Sequence, residues 1–345
     1  MKLNFHTYTE ILSQPETWAE ALRVVEQNRP ALERLLEPRY DQVLFIGCGS
    51  TYYLSLSAAA LFQQATGRMA RAAPSSELVL NGPTVLTDGP TLLMAISRSG
   101  STTETVHAVE QFKKQQHGPV VGITVYGDSP LADLADLALV VEKGQEQSVV
   151  QTRSFTGMYV AATALSLLAG GQEEALRSMG RLPEIGARLI ADHEALARNF
   201  GEDLRFDRYY FLGSGARYGL ACEASLKLKE MSLSHSEPFH FLEFRHGPMS
   251  MVNESTILVG LLSGSNSPHE RAVLEEMQTR GATVLALAEA NADIAFHSGL
   301  PEAVQGALYL PVLQLMAFYR SLEKGLNPDS PHHLEAVVVL PELPV

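Results

Sequence analysis

Ser97-Arg98-Ser99-Gly100-Ser101-Thr102-Thr103-Glu104 follows directly on the apolar run Leu92-Leu93-Met94-Ala95-Ile96 and opens onto a helical pattern from Thr105 to Phe112. The stretch reads as a strand, a tight turn and a helix N-terminus. A helix start offers unpaired backbone N–H groups and the positive end of a macrodipole, and the hydroxyls crowded around one glycine add neutral donors aimed at the same point. The guest that such a turn suits is a phosphate. Taken alone, the same residues also read as a plain capped helix, with Ser101 or Thr102 as the cap. The rest of the chain decides between the two.

The run Gln42 to Ile46 is equally apolar, ends in Gly47-Cys48-Gly49-Ser50-Thr51 and leads into a helical stretch from Tyr52 to Gln64. Val120 to Thr124 and Leu137 to Val141 continue the series, with helical segments between. Strands that are apolar without alternation suit a parallel sheet covered on both faces, so a doubly wound α/β architecture is expected. Residues 7 to 36 carry helical spacing at Ile11, Trp18, Leu22, Val25 and Leu32, punctuated by Pro15 and Pro30, and read as helices outside that sheet. In an open parallel sheet ligands sit at the carboxyl ends of the strands, where Ser50 and Thr51 close one strand and Ser97, Ser99 and Thr102 another. Gly47-x-Gly49 lacks the third glycine of a dinucleotide fingerprint and no acidic residue follows clearly at the next strand end, so neither nicotinamide nor flavin is expected, nor any other cofactor.

The second half repeats the first. Phe45-Ile46-Gly47-Cys48-Gly49 through Tyr52 and Leu54 returns 166 positions on as Phe211-Leu212-Gly213-Ser214-Gly215 through Tyr218 and Leu220, and Ile96-Ser97-Arg98-Ser99 returns at the same offset as Leu262-Ser263-Gly264-Ser265. One offset at two separate places indicates a tandem duplication of an α/β unit. The copies then diverge: Ala216 and Arg217 stand where the first has Ser50 and Thr51, which assigns the phosphate to copy one.

The second copy has other chemistry. Glu223, Lys227 and Glu230 recur at i, i+4 and i+7 on one helical face, followed by a loop rich in proline and aromatic residues, Pro238 to Pro248, that contains His246. The bland readings are a solvated helix face and a turn histidine. A carboxylate and an imidazole beside a phosphate loop would also suit proton transfer α to a carbonyl with assisted opening of a sugar ring.

Composition narrows the classes. The 345 residues suggest more than one domain, and a net charge of −13 with no Lys/Arg-rich run argues against a nucleic-acid partner. Cys48 and Cys222 give neither a disulfide framework nor metal-ligand spacing, so no metal is expected. The opening residues lack a signal-peptide core, and Met158 to Leu168 is too short and too interrupted to span a bilayer, so a cytoplasmic protein without a membrane partner is expected.

Taken together, Ser97-Arg98-Ser99-Gly100-x-Thr102, Cys48-Gly49-Ser50-Thr51-Tyr52, Ser225-Leu226-Lys227-Leu228-Lys229-Glu230, Arg245-His246-Gly247-Pro248 and Asn327-Pro328-Asp329-Ser330-Pro331 resemble the sugar isomerase (SIS) family. Within it the likeness is to the isomerase half of glucosamine-6-phosphate synthase and to stand-alone amino-sugar-phosphate deaminases and ketose/aldose phosphate isomerases. The resemblance implies two tandem flavodoxin-like SIS domains with flanking helices: a helical lead-in at 1–36, a phosphate-binding domain at 37–170, a helical linker at 171–200, a second domain at 201–325 and a C-terminal segment at 326–345. It implies a homodimer with each active site near the subunit boundary and a small sugar phosphate as substrate. Its phosphate contacts fall on Ser50, Thr51, Ser97, Arg98, Ser99 and Thr102, with Arg98 in place of the synthase's glutamine. Its enolisation base falls on Glu230, its ring-opening histidine on His246 and its supporting lysine on Lys227. Cys48, Glu146 and Thr152 match the wall of the sugar pocket.

Two departures shape the expected activity. The synthase begins with a glutaminase domain, whereas Met1-Lys2 leads at once into isomerase-like sequence, so glutamine is not expected as an ammonia source. The synthase's C-terminal lysine, which forms an imine with the ketose, aligns with Ala336, which cannot. The expectation is therefore an isomerase acting by a proton shuttle, on an amino-sugar 6-phosphate with ammonia release. The rival from another class is a sugar-phosphate sensor, which would need neither Glu230 nor His246 and would ordinarily carry a DNA-binding segment.

Overall fold

A computed structural model describes residues 4–37 and 40–337. The apolar runs form parallel strands: β1 (Gln42–Gly47), β2 (Ala70–Pro74), β3 (Thr91–Ile96), β4 (Val120–Thr124) and β5 (Leu137–Val140) make one sheet, in the order β2-β1-β3-β4-β5. The second sheet has β6 (Arg208–Leu212), β7 (His235–Phe239), β8 (Thr256–Leu261), β9 (Thr283–Ala288) and β10 (Ile294–Ala295) in the order β7-β6-β8-β9-β10. This is the same order again, and every pairing in both sheets is parallel. Two tandem α/β units with flanking helices are thus present.

The first unit holds residues 13–37, 40–146, 153–180 and 335–337, and the second holds 4–12, 147–152 and 181–334. In the first, β1, β3 and β4 are buried at every residue, as strands covered on both faces must be. Leu44, Ile46, Leu93, Ala95, Phe112 and Val120 form the core of one face. Helix Arg153–Ala169, buried from Ser154 to Leu168, packs against helices Gln14–Gln27 and Ser50–Thr66. Trp18 is fully buried there, and its indole N–H donates to Thr156 Oγ1 at 2.9 Å. Pro15 and Pro30 each sit in the first turn of a helix, where a missing N–H costs nothing. Among the described residues no helix is long and apolar enough to cross a membrane.

In the second unit Tyr210, Leu212, Leu258, Val273 and Met277 form a core cluster, and helix Leu182–Glu202 packs along helix Leu310–Glu323. Widely separated segments complete this unit. Asp329 accepts hydrogen bonds from the His6 and Thr7 N–H groups at 2.9 and 2.8 Å, and buried Glu10 accepts from the Gln147 N–H at 2.6 Å and from the Ser148 hydroxyl.

Two strands depart from expectation. β2 is an edge strand of small residues and one arginine, with no apolar run to announce it. The Pro- and aromatic-rich stretch read as a loop from Pro238 begins inside β7, whose last two residues are Pro238 and Phe239. β7 is hydrogen-bonded on one side only, to β6, and an edge strand tolerates the missing proline N–H.

Both sheets carry a glycine where the first strand meets its helix. A Cβ on Gly47 would lie 2.6 Å from the Thr51 carbonyl oxygen, and one on Gly213 would lie 2.4 Å from that of Arg217. These glycines let the strand end touch the first turn of the following helix. Gly47→Ala and Gly213→Ala should each lower stability by about 1–3 kcal/mol through overpacking. Gly180→Ala, with nothing within 4 Å of the added carbon, should stay within about 1 kcal/mol of wild type. Urea unfolding midpoints of the three variants check the contrast.

Candidate active site

In each sheet the chain steps outward in opposite directions from the first and third strands, which opens a crevice at their carboxyl ends. In the first unit this crevice lies beyond β1 and β3, where Cys48–Thr51 and Ser97–Thr102 are found. Gly100 takes φ +65°, and a Cβ there would lie 2.1 Å from Ser129 Oγ, so only glycine fits. The turn is tied internally: the Gly100 N–H donates to Ser97 Oγ at 3.1 Å, the Ser101 N–H to Ser99 Oγ at 3.2 Å, and the Ser97 and Thr102 hydroxyls lie 3.1 Å apart. Thr102 is the N-cap of helix Thr103–Lys114, yet its side chain makes no capping hydrogen bond. The side-chain cap that the plain reading would place on Thr102 is thus not made, and its hydroxyl lies beside that of Ser97.

The neighbouring turn is closed by Thr51, whose hydroxyl donates to the Cys48 carbonyl at 2.9 Å and accepts from the Cys48 N–H at 2.9 Å. Thr51 thus shapes its own turn. Ser50 is buried beside it, at the start of helix Ser50–Thr66. Cys48 Sγ lies 3.6 Å from Thr105 Oγ1, and burial pushes its thiol pKa up, so it is no nucleophile at neutral pH.

Arg98, expected as a charged contact to the phosphate, meets two groups of the protein itself. Nη1 lies 3.5 Å from Glu146 Oε2, and Nη2 donates to the Ala336 carbonyl at 2.7 Å. The Glu146 side chain is fully buried and also accepts from the Ser154 N–H at 3.1 Å and hydroxyl at 2.5 Å. Ser154 was missed in the sequence, although its place at the head of a helix eight residues after Glu146 was a usable signal. Thr152 is buried in the 147–152 segment of the second unit.

In the second unit the helix Arg217–Ser232 carries Glu223, Lys227 and Glu230. The solvated-face reading fails for two of them: the Lys227 side chain is 1% exposed and that of Glu223 0%. The helix packs against helix Leu310–Glu323, β7 and β6, and the charges survive burial because they meet. Lys227 Nζ lies 3.3 Å from Glu223 Oε1 and donates to Glu230 Oε2, whose side chain is 19% exposed. Burial works to lower the Lys227 pKa, but Glu223 and Glu230 outweigh it and raise it above the ordinary 10.5. Glu230 is the one member of the triad open to an approaching molecule. His246 follows the short turn Glu243–Arg245, exposed, with no hydrogen-bond partner for its ring among the described residues. His240, by contrast, stacks on Tyr218 at 4.0 Å, and burial lowers its pKa. No group of three or more metal-ligating side chains occurs among the described residues.

The profile of the SIS domain matches residues 39–168 and 205–322. The chain is 27% identical over 351 residues to the isomerizing glutamine–fructose-6-phosphate aminotransferase of Thermococcus kodakarensis, with 96% of this chain and 57% of that protein covered. It is 29% identical over 353 residues to the protein of the same name from Aeropyrum pernix, covering 96% and 56%. It spans little more than half the length of these curated relatives. Among solved structures, glucosamine-6-phosphate deaminase from Thermotoga maritima superposes with a TM-score of 0.80 at 30% identity over 97% of this chain and 100% of that one. Tagatose-6-phosphate ketose/aldose isomerase from Escherichia coli does so with a TM-score of 0.86 at 25% identity, over 98% and 97%.

Lys227→Met removes the cation and leaves two carboxylates facing each other, which should cost about 3–5 kcal/mol of stability. Its pH dependence follows from the raised pKa. The stabilisation is complete while both folded and unfolded chains hold the proton, begins to fall as pH rises past the ordinary 10.5, and is gone above the folded-state value. Urea titrations from neutral to alkaline pH should therefore show wild type losing this advantage over Lys227→Met only at the alkaline end.

Proposed function

The chain belongs to the SIS domain family, and on that premise we propose that it interconverts aldose and ketose forms of a hexose 6-phosphate, acting on an amino-sugar phosphate with release of ammonia. The observation that supports this most is the buried Lys227 held between two carboxylates of which Glu230 alone is reachable. A carboxylate fixed by an ammonium on one side and open on the other is suited to accept a carbon-bound proton and return it one carbon away.

In this reading the phosphate is taken by Ser97, Ser99 and Thr102 together with Ser50, N–H groups of the turn and the dipole of the following helix. Thr51 keeps its turn in shape, and Arg98, already matched by Glu146, holds the surroundings of the turn while adding little net charge. His246 assists opening of the sugar ring. Glu230 then takes the C2 proton of the open-chain aldose, and the electron pair forms a C1–C2 double bond as the aldehyde oxygen is protonated. Return of the proton to C1 leaves an imine at C2 when the substituent there is an amine. Water adds to that carbon, the C–N bond breaks, and ammonia and the ketose 6-phosphate remain. With a hydroxyl at C2 the same shuttle stops at simple isomerisation.

A homodimer is part of the proposal, with the exposed His246 serving the site of the partner copy. Mixtures of Glu230→Gln and His246→Ala, refolded together, should then regain activity that neither variant has alone. Mixtures as inactive as their components would place His246 outside this role.

Incubation with glucosamine 6-phosphate, with fructose 6-phosphate and ammonia followed together, tests the deaminase form. Turnover of other hexose phosphates alone would leave the isomerase, and binding without turnover of any would favour the sensor. Glu230→Gln should cut turnover by about 10²–10⁴ and abolish exchange of the C2 proton with heavy water, with little change in affinity. Ser99→Ala should weaken sugar-phosphate binding by about 1–3 kcal/mol, read by titration calorimetry.

A further inference from the structure

The second unit keeps the framework of the phosphate turn. The Asn266 N–H donates to Ser263 Oγ at 2.8 Å, which repeats, 166 positions on, the bond from the Gly100 N–H to Ser97 Oγ. Gly215 takes φ +59°, as Gly49 takes +55°. Glu270 follows at the same offset from Glu104, each in the first turn of the next helix. Beyond β6 and β8 the second sheet therefore presents the same crevice, with the same backbone frame and Arg217 in place of Thr51.

A carboxylate of the chain itself sits on this frame. Glu302 Oε1 lies 2.8 Å from Arg217 Nη1, and Oε2 accepts from the Ser265 N–H at 3.1 Å. The Ser265 N–H is the counterpart of that of Ser99, which has no acceptor among the described residues. Room for Glu302 comes from Gly264, where the first copy has Arg98: a Cβ at 264 would lie 3.1 Å from Glu302 Oε2. One anion thus meets a guanidinium and a turn N–H where the first copy offers hydroxyls and an N–H. Glu270, at the position of Glu104, accepts from the Ser263 N–H at 2.6 Å, whereas the Ser97 N–H donates to the Ile123 carbonyl at 3.1 Å.

We propose that the second unit retains a phosphate-type anion site and that the Glu302 carboxylate is its built-in occupant, so that removing this side chain opens the site to free phosphate or a sugar phosphate. The inference rests on reading Ser97–Thr102 as a phosphate turn. Being tethered, the carboxylate competes at a high effective concentration, and free phosphate does not displace it from the wild-type chain.

Phosphate binding to the full chain is counted by calorimetry with inorganic phosphate and with glucose 6-phosphate, for wild type, Glu302→Ala, Glu302→Gln and Glu302→Ala/Arg217→Ala. The expected result is one more equivalent in Glu302→Ala than in wild type, weakened about tenfold or more when Arg217 is also removed. Glu302→Gln keeps the shape of the strut, and phosphate should raise its melting temperature more than it raises that of wild type at equal ionic strength. An equal number of equivalents in wild type and Glu302→Ala, with no added protection of Glu302→Gln, overturns the proposal, as does a gained equivalent indifferent to Arg217. The count is a difference from wild type: were wild type to bind none and Glu302→Ala one, this proposal would stand and the reading of the first turn would fall. Ser99→Ala separates the two by removing only the first-copy equivalent.

Discussion

The close approach of a strand end to the first turn of the helix that follows it governs both halves of this protein. At Gly47 and at Gly213 the Cα lies so near the carbonyl four residues on that no side chain fits. That contact swings each helix N-terminus into the crevice beyond the first and third strands, and the backbone N–H groups come with it. What the two halves do chemically depends on what lines those crevices, and the fold leaves that choice to a handful of positions.

The two crevices are lined by different groups. In the first, hydroxyls lie at a helix start, and Arg98 and Glu146 face each other at 3.5 Å. In the second, Glu302 and Arg217 already satisfy each other. Within the triad of the second unit the one charge left partly open is Glu230, and it is kept in place by an ammonium that cannot leave without stranding two carboxylates.

The central strands were legible because β1, β3 and β4 are apolar at nearly every position, which a strand covered on both faces requires. The repeat was legible because the turn residues of the two copies keep one offset. β2 and β7 were not, since edge strands need only half a burial pattern, and Pro238 speaks against a strand unless its edge position is known. The turns around Ser99 and Thr51 could be placed, but not the direction of the hydroxyl of Thr51, which closes on Cys48. The i, i+4, i+7 pattern of Glu223, Lys227 and Glu230 put the three on one face correctly. Whether that face meets water or another element is a property of packing, and packing buried it.

The bonds from the His6 and Thr7 N–H groups to Asp329 span more than three hundred residues, and Glu10 waits for Ser148. During synthesis, then, the segment 4–12 is made before either sheet and finds its acceptor only after both have emerged. The second unit is consequently a late structure, assembled from three stretches of chain, and its stability is earned through contacts of the highest sequence separation. Loop-closure entropy makes such contacts slow to form. The helix His6–Leu12 must therefore wait for its acceptor until the chain has been made as far as Asp329.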